Sequence, residues 1–192
     1  MKYIFLSQQF YTDYNSKQFS EIEHKVNRPY IMLLVQIEGV TFAVPFRSHI
    51  SHKYAFITDA QNNCGIDYTK AVIITKSIYV IDSLNGKPIK IRQNEHKALF
   101  GKKYELVKSF TKYVKDYKRA VKNKVHTKVN AYKFSTLQYF HKELGLETQA
   151  ERVLKLHQEG KTIREIADIL QISHHCVKAI LKVVLRRQKD ES

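Results

Sequence analysis

Residues 30–46 read YIMLLVQIEGVTFAVPF, two β-rich runs on either side of Glu38-Gly39-Val40. Apolar, β-branched and aromatic runs flanking a glycine turn predict a β-hairpin. Outward from it, KYIFL (2–6) predicts a short strand, and Ser7 is placed to cap a short helix ending near Asn15. On the other side YAFIT (54–58), KAVIIT (70–75) and YVID (79–82) read as further short strands, with Asn62-Asn63-Cys64-Gly65 between the first two. So many short strands in succession predict a small, strongly curved antiparallel sheet closing into a barrel.

LNGKP (84–88) breaks the strand pattern. Across residues 93–124, Leu106, Phe110, Tyr113, Val114, Tyr117 and Val121 recur at helical spacing with lysines around the rest of the circumference, which predicts an amphipathic helix with a basic outer face. A second helix is expected from Lys133 to Leu144, with Phe134, Leu137, Phe140 and Leu144 inward, ending at Gly145. The fold class is therefore α+β. Beyond it, AERVLKLHQEG, KTIREIADILQIS and HHCVKAILKVVLRRQ predict three short helices, the second capped by Thr162 with Glu165 and the third by Ser173. This divides the chain into residues 1–145 and a helical segment, 146–192.

Charge narrows the partners. The formal net charge is +15, and it is unevenly spread: residues 84–133 hold 15 Lys and Arg against 3 Asp and Glu, whereas residues 1–83 hold 8 against 7. A concentrated basic segment gains by releasing counterions from a polyanion, so nucleic acid is the first partner to consider. No apolar run exceeds the five residues Ile31–Val35, far short of the roughly 20 needed to cross a bilayer. A cytoplasmic protein without a membrane partner is expected. The two cysteines, Cys64 and Cys176, support neither a disulfide framework nor a zinc ribbon, and no phosphate-cradling glycine motif occurs, so no cofactor or metal is expected.

Beyond the hairpin the sequence runs FAVPFRSHISHKY (42–54). Pro45 lacks a ladder donor, so the strand should end or bulge there and leave Arg47, Ser48 and His49 on a sheet rim. Arg offers a planar fork to phosphate oxygens, Ser a hydroxyl, His a titratable imidazole and Lys a point charge. These are parts for cutting RNA without a metal: a base for the ribose 2′-hydroxyl, donors for the anionic phosphorane and an acid for the leaving oxygen. His49 or His52 suits proton transfer; Arg28, Arg47 or Lys53 suits the phosphate. Structural histidines, or an H-x-x-H metal pair lacking a third ligand at a convincing spacing, are the competing readings. Ser48 has no glycine elbow, and Asp59 and Asp67 are merely nearby acids; Glu21 and Glu23 read as an exposed helix start.

NRPYIMLLVQIEGVTFAVPFRSHISHKYAFIT, CGIDYTKAVII and YKFSTLQYF, in that order, resemble the TenpN branch of type III toxin-antitoxin toxins, relatives of ToxN and AbiQ. The resemblance spans residues 1–144 and implies a metal-independent endoribonuclease of the MazF, Kid and CcdB barrel type that leaves a 2′,3′-cyclic phosphate. It further implies a small, pseudoknotted RNA antitoxin as partner, a cyclic protein–RNA assembly, and cellular or phage mRNA as substrate in abortive infection. Ser48 matches the family's active-site serine, Arg47 replaces its threonine neighbour, and Arg28 falls where the family carries a catalytic lysine. Because Arg cannot act as an acid or base near neutrality, proton transfer passes to His49 or His52. RNA contact is assigned to Tyr30, Tyr54, Lys102, Lys103, Lys108, Lys112, Lys115, Lys118, Arg119 and Lys122. The pattern T-x-x-E-I-A-x-x-L-x-I-S (162–173) resembles the helix-turn-helix of recombinase and sigma-factor-like DNA binders. That mode would present Ser173, His174, His175, Lys178 and Lys182 to DNA; a helical assembly element is the alternative.

Overall fold

Glu38 and Gly39 both have positive φ, 50° and 81°, and form a two-residue turn between the paired residues Ile37 and Val40. Such a turn matches the twist of the strands it joins, and glycine enters it without a Cβ penalty. The structure is a computed structural model that describes residues 1–24 and 30–190. In chain order β1 (Lys2–Leu6) and α1 (Gln8–Asp13) precede the hairpin strands β2 (Met32–Ile37) and β3 (Val40–Arg47). Then come β4 (Ala55–Asp59), β5 (Cys64–Asp67), β6 (Val72–Ile73) and β7 (Val80–Ile81). Two compact units divide the chain at Leu144 and Gly145. No helix among the described residues is long and apolar enough to cross a membrane.

The first unit is α+β with an antiparallel sheet, and the expected barrel is corrected. The sheet is open, in the order β4-β5-β3-β2-β1-β7 with β6 also on β3, and its end strands β4 and β7 do not pair. Closure needs ladders long enough to accumulate tilt and stagger. Here β6 and β7 are two residues each, and a helix covers the sheet instead. After α2 (Gln93–Leu99) the chain turns at Phe100–Lys102 into α3 (Lys103–Lys122), so the single helix expected over 93–124 is two. From α3, Leu106, Phe110, Tyr113, Val114 and Tyr117 are buried, and Phe110 meets the Phe42 ring edge-on with centroids 5.2 Å apart.

Pro45 does not end its strand. Phe46 N donates to Ile31 O (2.9 Å), so the alternation of the ladder turns the nitrogen of Pro45 away from β2 toward the opposite edge. There the partner strand detours: β3 pairs β5 at Phe46 and Arg47 and β6 at Phe42 and Ala43, and between them Tyr68–Lys70 loops out as a 3-10 turn. The bulge lies in the neighbour, opposite the residue that has no N–H to give.

The stretch 133–144 is not one helix either. It comprises the end of α4 (Asn130–Lys133), a 3-10 segment Thr136–Phe140 and a turn to Gly145. Two buried hydroxyls compete with helical backbone pairing. Ser135 Oγ accepts from Leu137 N (3.3 Å) and Tyr113 OH (3.0 Å), and Thr136 Oγ1 donates to Ala71 O (2.5 Å). Leu137, Phe140 and Leu144 are inward as expected, but Phe134 is 48% exposed.

The second unit is three helices: α5 (Gln149–Gln158), α6 (Ile163–Leu170) and α7 (His174–Asp190). Thr148 and Thr162 form capping boxes with Glu151 and Glu165, and Ser173 Oγ accepts from Cys176 N (3.1 Å). Val153, Ile166, Ala167, Val177 and Leu181 make its core.

At the end of α1, hydrogen bonds from Lys76 (2.8 Å), Tyr79 (2.5 Å) and Gln9 (2.7 Å) lower the pKa of Asp13 to about 2. A depressed carboxylate pKa contributes stability above the unfolded value, near 4, that is lost as pH falls through the folded value. Thermal melts of Asp13→Asn and wild type should therefore differ most above about pH 4 and converge toward about pH 2. A gap unchanged by pH would exclude this linkage.

Candidate active site at the sheet rim

Arg47 ends β3 opposite Gly65, and Asp67 ends β5 two residues on. The Asp67 carboxylate is fully buried. Its Oδ1 accepts from Thr69 N (2.9 Å) and Thr69 Oγ1 (2.7 Å), capping the 3-10 turn, and its Oδ2 accepts from Arg47 Nη1 (2.7 Å). A carboxylate loses most of its hydration when buried, and these charge-assisted donors replace it. His52 Nε2 stands 3.5 Å from Asp67 Oδ1. The second terminal nitrogen of Arg47 donates to Glu23 Oε1 (2.5 Å), and Tyr30 OH donates to Glu23 Oε2 (2.6 Å). Burial opposes the Arg47 charge, but hydrogen bonds to Asp67 and Tyr30 and the charge of Glu23 outweigh it and raise its pKa above the ordinary value.

Behind this cluster lies a pocket of about 30 Å³, lined by Pro45, Met32, Tyr11, Thr136 and the ion pair of Lys70 with Glu21 (2.7 Å). That is room for about one water-sized group. Two polar atoms here are buried with no hydrogen-bond partner among the described residues, Arg47 Nε and His52 Nδ1. Unsatisfied buried polar atoms are rare in native proteins, and both belong to residues that flank one carboxylate.

The loop from β3 to β4 presents the remaining rim groups. His49 is left-handed (φ 59°), and the next residue, Ile50, is buried and donates its N–H to Asn63 O (2.9 Å). Ile50 thus anchors a loop on which Ser48, His49, Ser51 and Lys53 are exposed. Ser48 makes no side-chain hydrogen bond among the described residues, so Ser48, His52 and Asp67 form no relay. Lys53 Nζ lies 5.6 Å from the centre of the Tyr54 ring. Arg28 lies outside the described residues. Both terminal nitrogens of Arg47, the residue expected to hold a phosphate, face carboxylates.

Asp67 and Glu23 are the site residues that the sequence reading passed over. The signal for Asp67 was Asp67-Tyr68-Thr69, an Asp able to bond the backbone two residues on between two strands. Glu23 is half-buried against Arg47 and Tyr30, not part of an exposed helix start. Among the described residues no three His, Cys, Asp or Glu side chains converge to hold a metal.

On α3, Lys103, Lys108, Lys112, Lys115, Arg119 and Lys122 are exposed and Lys118 partly so, and Lys102 just before it is exposed. Several are paired at the surface: Lys112 and Arg119 with Asp116 (2.6 and 3.5 Å), Lys115 and Lys118 with Glu38 (3.7 and 3.6 Å). Exposed pairs contribute little and yield readily to a polyanion. In the second unit Ser173, His174, His175, Lys178 and Lys182 are all exposed, and Gln171 (φ 52°) turns the chain between α6 and α7.

No protein-family model, curated protein or solved structure matches this chain.

Proposed function

We propose that this chain is the toxin of a type III protein–RNA toxin-antitoxin system of the TenpN kind, an endoribonuclease that cuts single-stranded RNA without a metal ion. One observation carries the reading: His52 is backed by the buried Asp67, beside Arg47, within the same FRSHISHK block through which the chain resembles that family. One of His49 and His52 takes the proton of the ribose 2′-hydroxyl. The O2′–P bond forms as the P–O5′ bond breaks, the other histidine gives its proton to O5′, and the product ends in a 2′,3′-cyclic phosphate. Ser48 and Lys53 donate to the phosphorane oxygens, joined by Arg47 once Glu23 releases it. The basic face of α3 binds the RNA antitoxin, which holds the toxin in a cyclic protein–RNA assembly until phage infection frees it to cut mRNA in the cytoplasm.

Purified protein, freed of bound RNA and incubated with single-stranded RNA in EDTA, should yield fragments ending in 2′,3′-cyclic phosphate. Ser48→Ala and His52→Ala should each slow cleavage by about 100-fold or more while RNA binding survives. Cleavage that persists in both variants would displace the site from this rim.

A second reading is favoured by the occupied Arg47: a non-enzymatic regulator that binds nucleic acid. Intact RNA with retained affinity would select it. The α6–α7 pair we read as a helix-turn-helix that lays α7 in the major groove of DNA. Lys178→Glu combined with Lys182→Glu should then weaken duplex DNA binding and reduce the slope of log affinity against log salt by about 2, roughly 0.9 per lost phosphate contact. An unchanged slope would leave α7 as an assembly element.

A further inference from the structure

We infer that the aromatic rings of His52, Tyr54 and Tyr132 form the track on which unpaired RNA bases stack beside the scissile phosphate. The inference rests on the ribonuclease reading and adds to it where the substrate lies. Ring centroids step from His52 to Tyr54 (6.3 Å) and from Tyr54 to Tyr132 (6.1 Å), and Tyr132 in turn lies 5.7 Å from the buried Tyr117. The strip thus begins at the imidazole that faces Asp67 and ends on α4.

Its floor and its surface differ in chemistry. Tyr113 and Tyr117 are buried beneath it with their hydroxyls engaged, Tyr113 donating to Ser135 Oγ (3.0 Å) and Tyr117 bonded to His141 Nε2 (2.8 Å). Burial raises the pKa of both phenols, which keeps them neutral and fixed. Tyr54 and Tyr132 are only partly buried, and neither hydroxyl hydrogen-bonds another described residue. A core tyrosine ordinarily satisfies its hydroxyl, so two partly exposed rings whose hydroxyls find no described partner read as surface rings and not core ones.

The charge along the strip suits a phosphate backbone. Lys53 sits over Tyr54, and residues 117–133 contain six Lys or Arg and no Asp or Glu. Aromatic faces flanked by cations are how single strands are held, since stacking accepts any base and the cations follow the phosphates. A duplex offers no base faces to such a strip, so the ligand is single-stranded RNA.

The test uses the full chain and a short 2′-O-methyl RNA, which cannot be cleaved by 2′-hydroxyl attack. With twelve tyrosines and no tryptophan, tyrosine fluorescence follows binding without a tryptophan background, and the Tyr54 and Tyr132 variants assign the quenching to these rings. Wild type should bind with quenching. Tyr54→Ala and Tyr132→Ala should each weaken binding by about 5- to 150-fold, the ratio one stacked base carries, while Tyr54→Phe and Tyr132→Phe retain it. Ala variants that fold by circular dichroism and bind like wild type would overturn the track, as would Phe variants that lose as much affinity as Ala. The ribonuclease reading is scored separately on unmodified RNA: cleavage by wild type with unimpaired Ala variants removes the track alone, and stacking losses without any cleavage remove the ribonuclease reading alone.

Discussion

Asp67→Ala is expected to lower the melting temperature by about 6 to 12 °C and to abolish any activity of the rim. The carboxylate is fully buried and receives three donors, Arg47 Nη1, Thr69 N and Thr69 Oγ1, at 2.7 to 2.9 Å. Removing one partner of a buried ion pair strands the other. That costs about 3 kcal/mol here, the lower end of the usual range, because the Arg47 side chain keeps 23% exposure and still has Glu23. The 3-10 turn loses its cap in the same step, and His52 loses the carboxylate it faces. Asp67→Asn keeps the shape and an acceptor for Thr69, so it should melt between wild type and Asp67→Ala. Thermal melts followed by circular dichroism decide the matter; an Asp67→Ala protein melting within a degree or two of wild type would mean that this carboxylate does not organise the rim.

Gly65→Ala should be as damaging, although no side chain of the site changes. A Cβ on Gly65 would lie 2.2 Å from Phe56 O and 2.9 Å from Ile57 Cα, both backbone atoms of β4. No rotamer change relieves a clash with backbone, so β4 and β5 must move apart. Gly65 pairs with Arg47 on one side and Ile57 on the other, and the displacement therefore reaches both strands that carry the site. The cost should exceed about 3 kcal/mol, the upper end of ordinary overpacking, and appear as low soluble yield or a fall in melting temperature of about 10 °C. Wild-type yield and melting would show that β4 and β5 do not approach so closely.

What was legible from residue order alone was local. The Glu38-Gly39 turn, the strand Lys2–Leu6, the caps at Ser7, Thr162 and Ser173, and the buried stripe of α3 all depend on separations of two to four residues, whose geometry a regular backbone sets by itself. The centre of the site did not. Arg47 meets Asp67 across 20 residues and Glu23 across 24, and Lys70 meets Glu21 across 49. Those encounters follow from strand register and from the detour of Tyr68–Lys70 around Pro45, neither of which any local spacing encodes. Likewise Ser135 and Thr136 turn 133–144 away from a helix only because Tyr113 and Ala71 lie within reach in the folded unit. The sequence by itself determined the hairpin, the buried stripe of α3, the capped helices of the second unit and where the charge would gather. Only the tertiary structure decided which carboxylates would claim the arginine, because a buried charge takes the partner that packing brings to it.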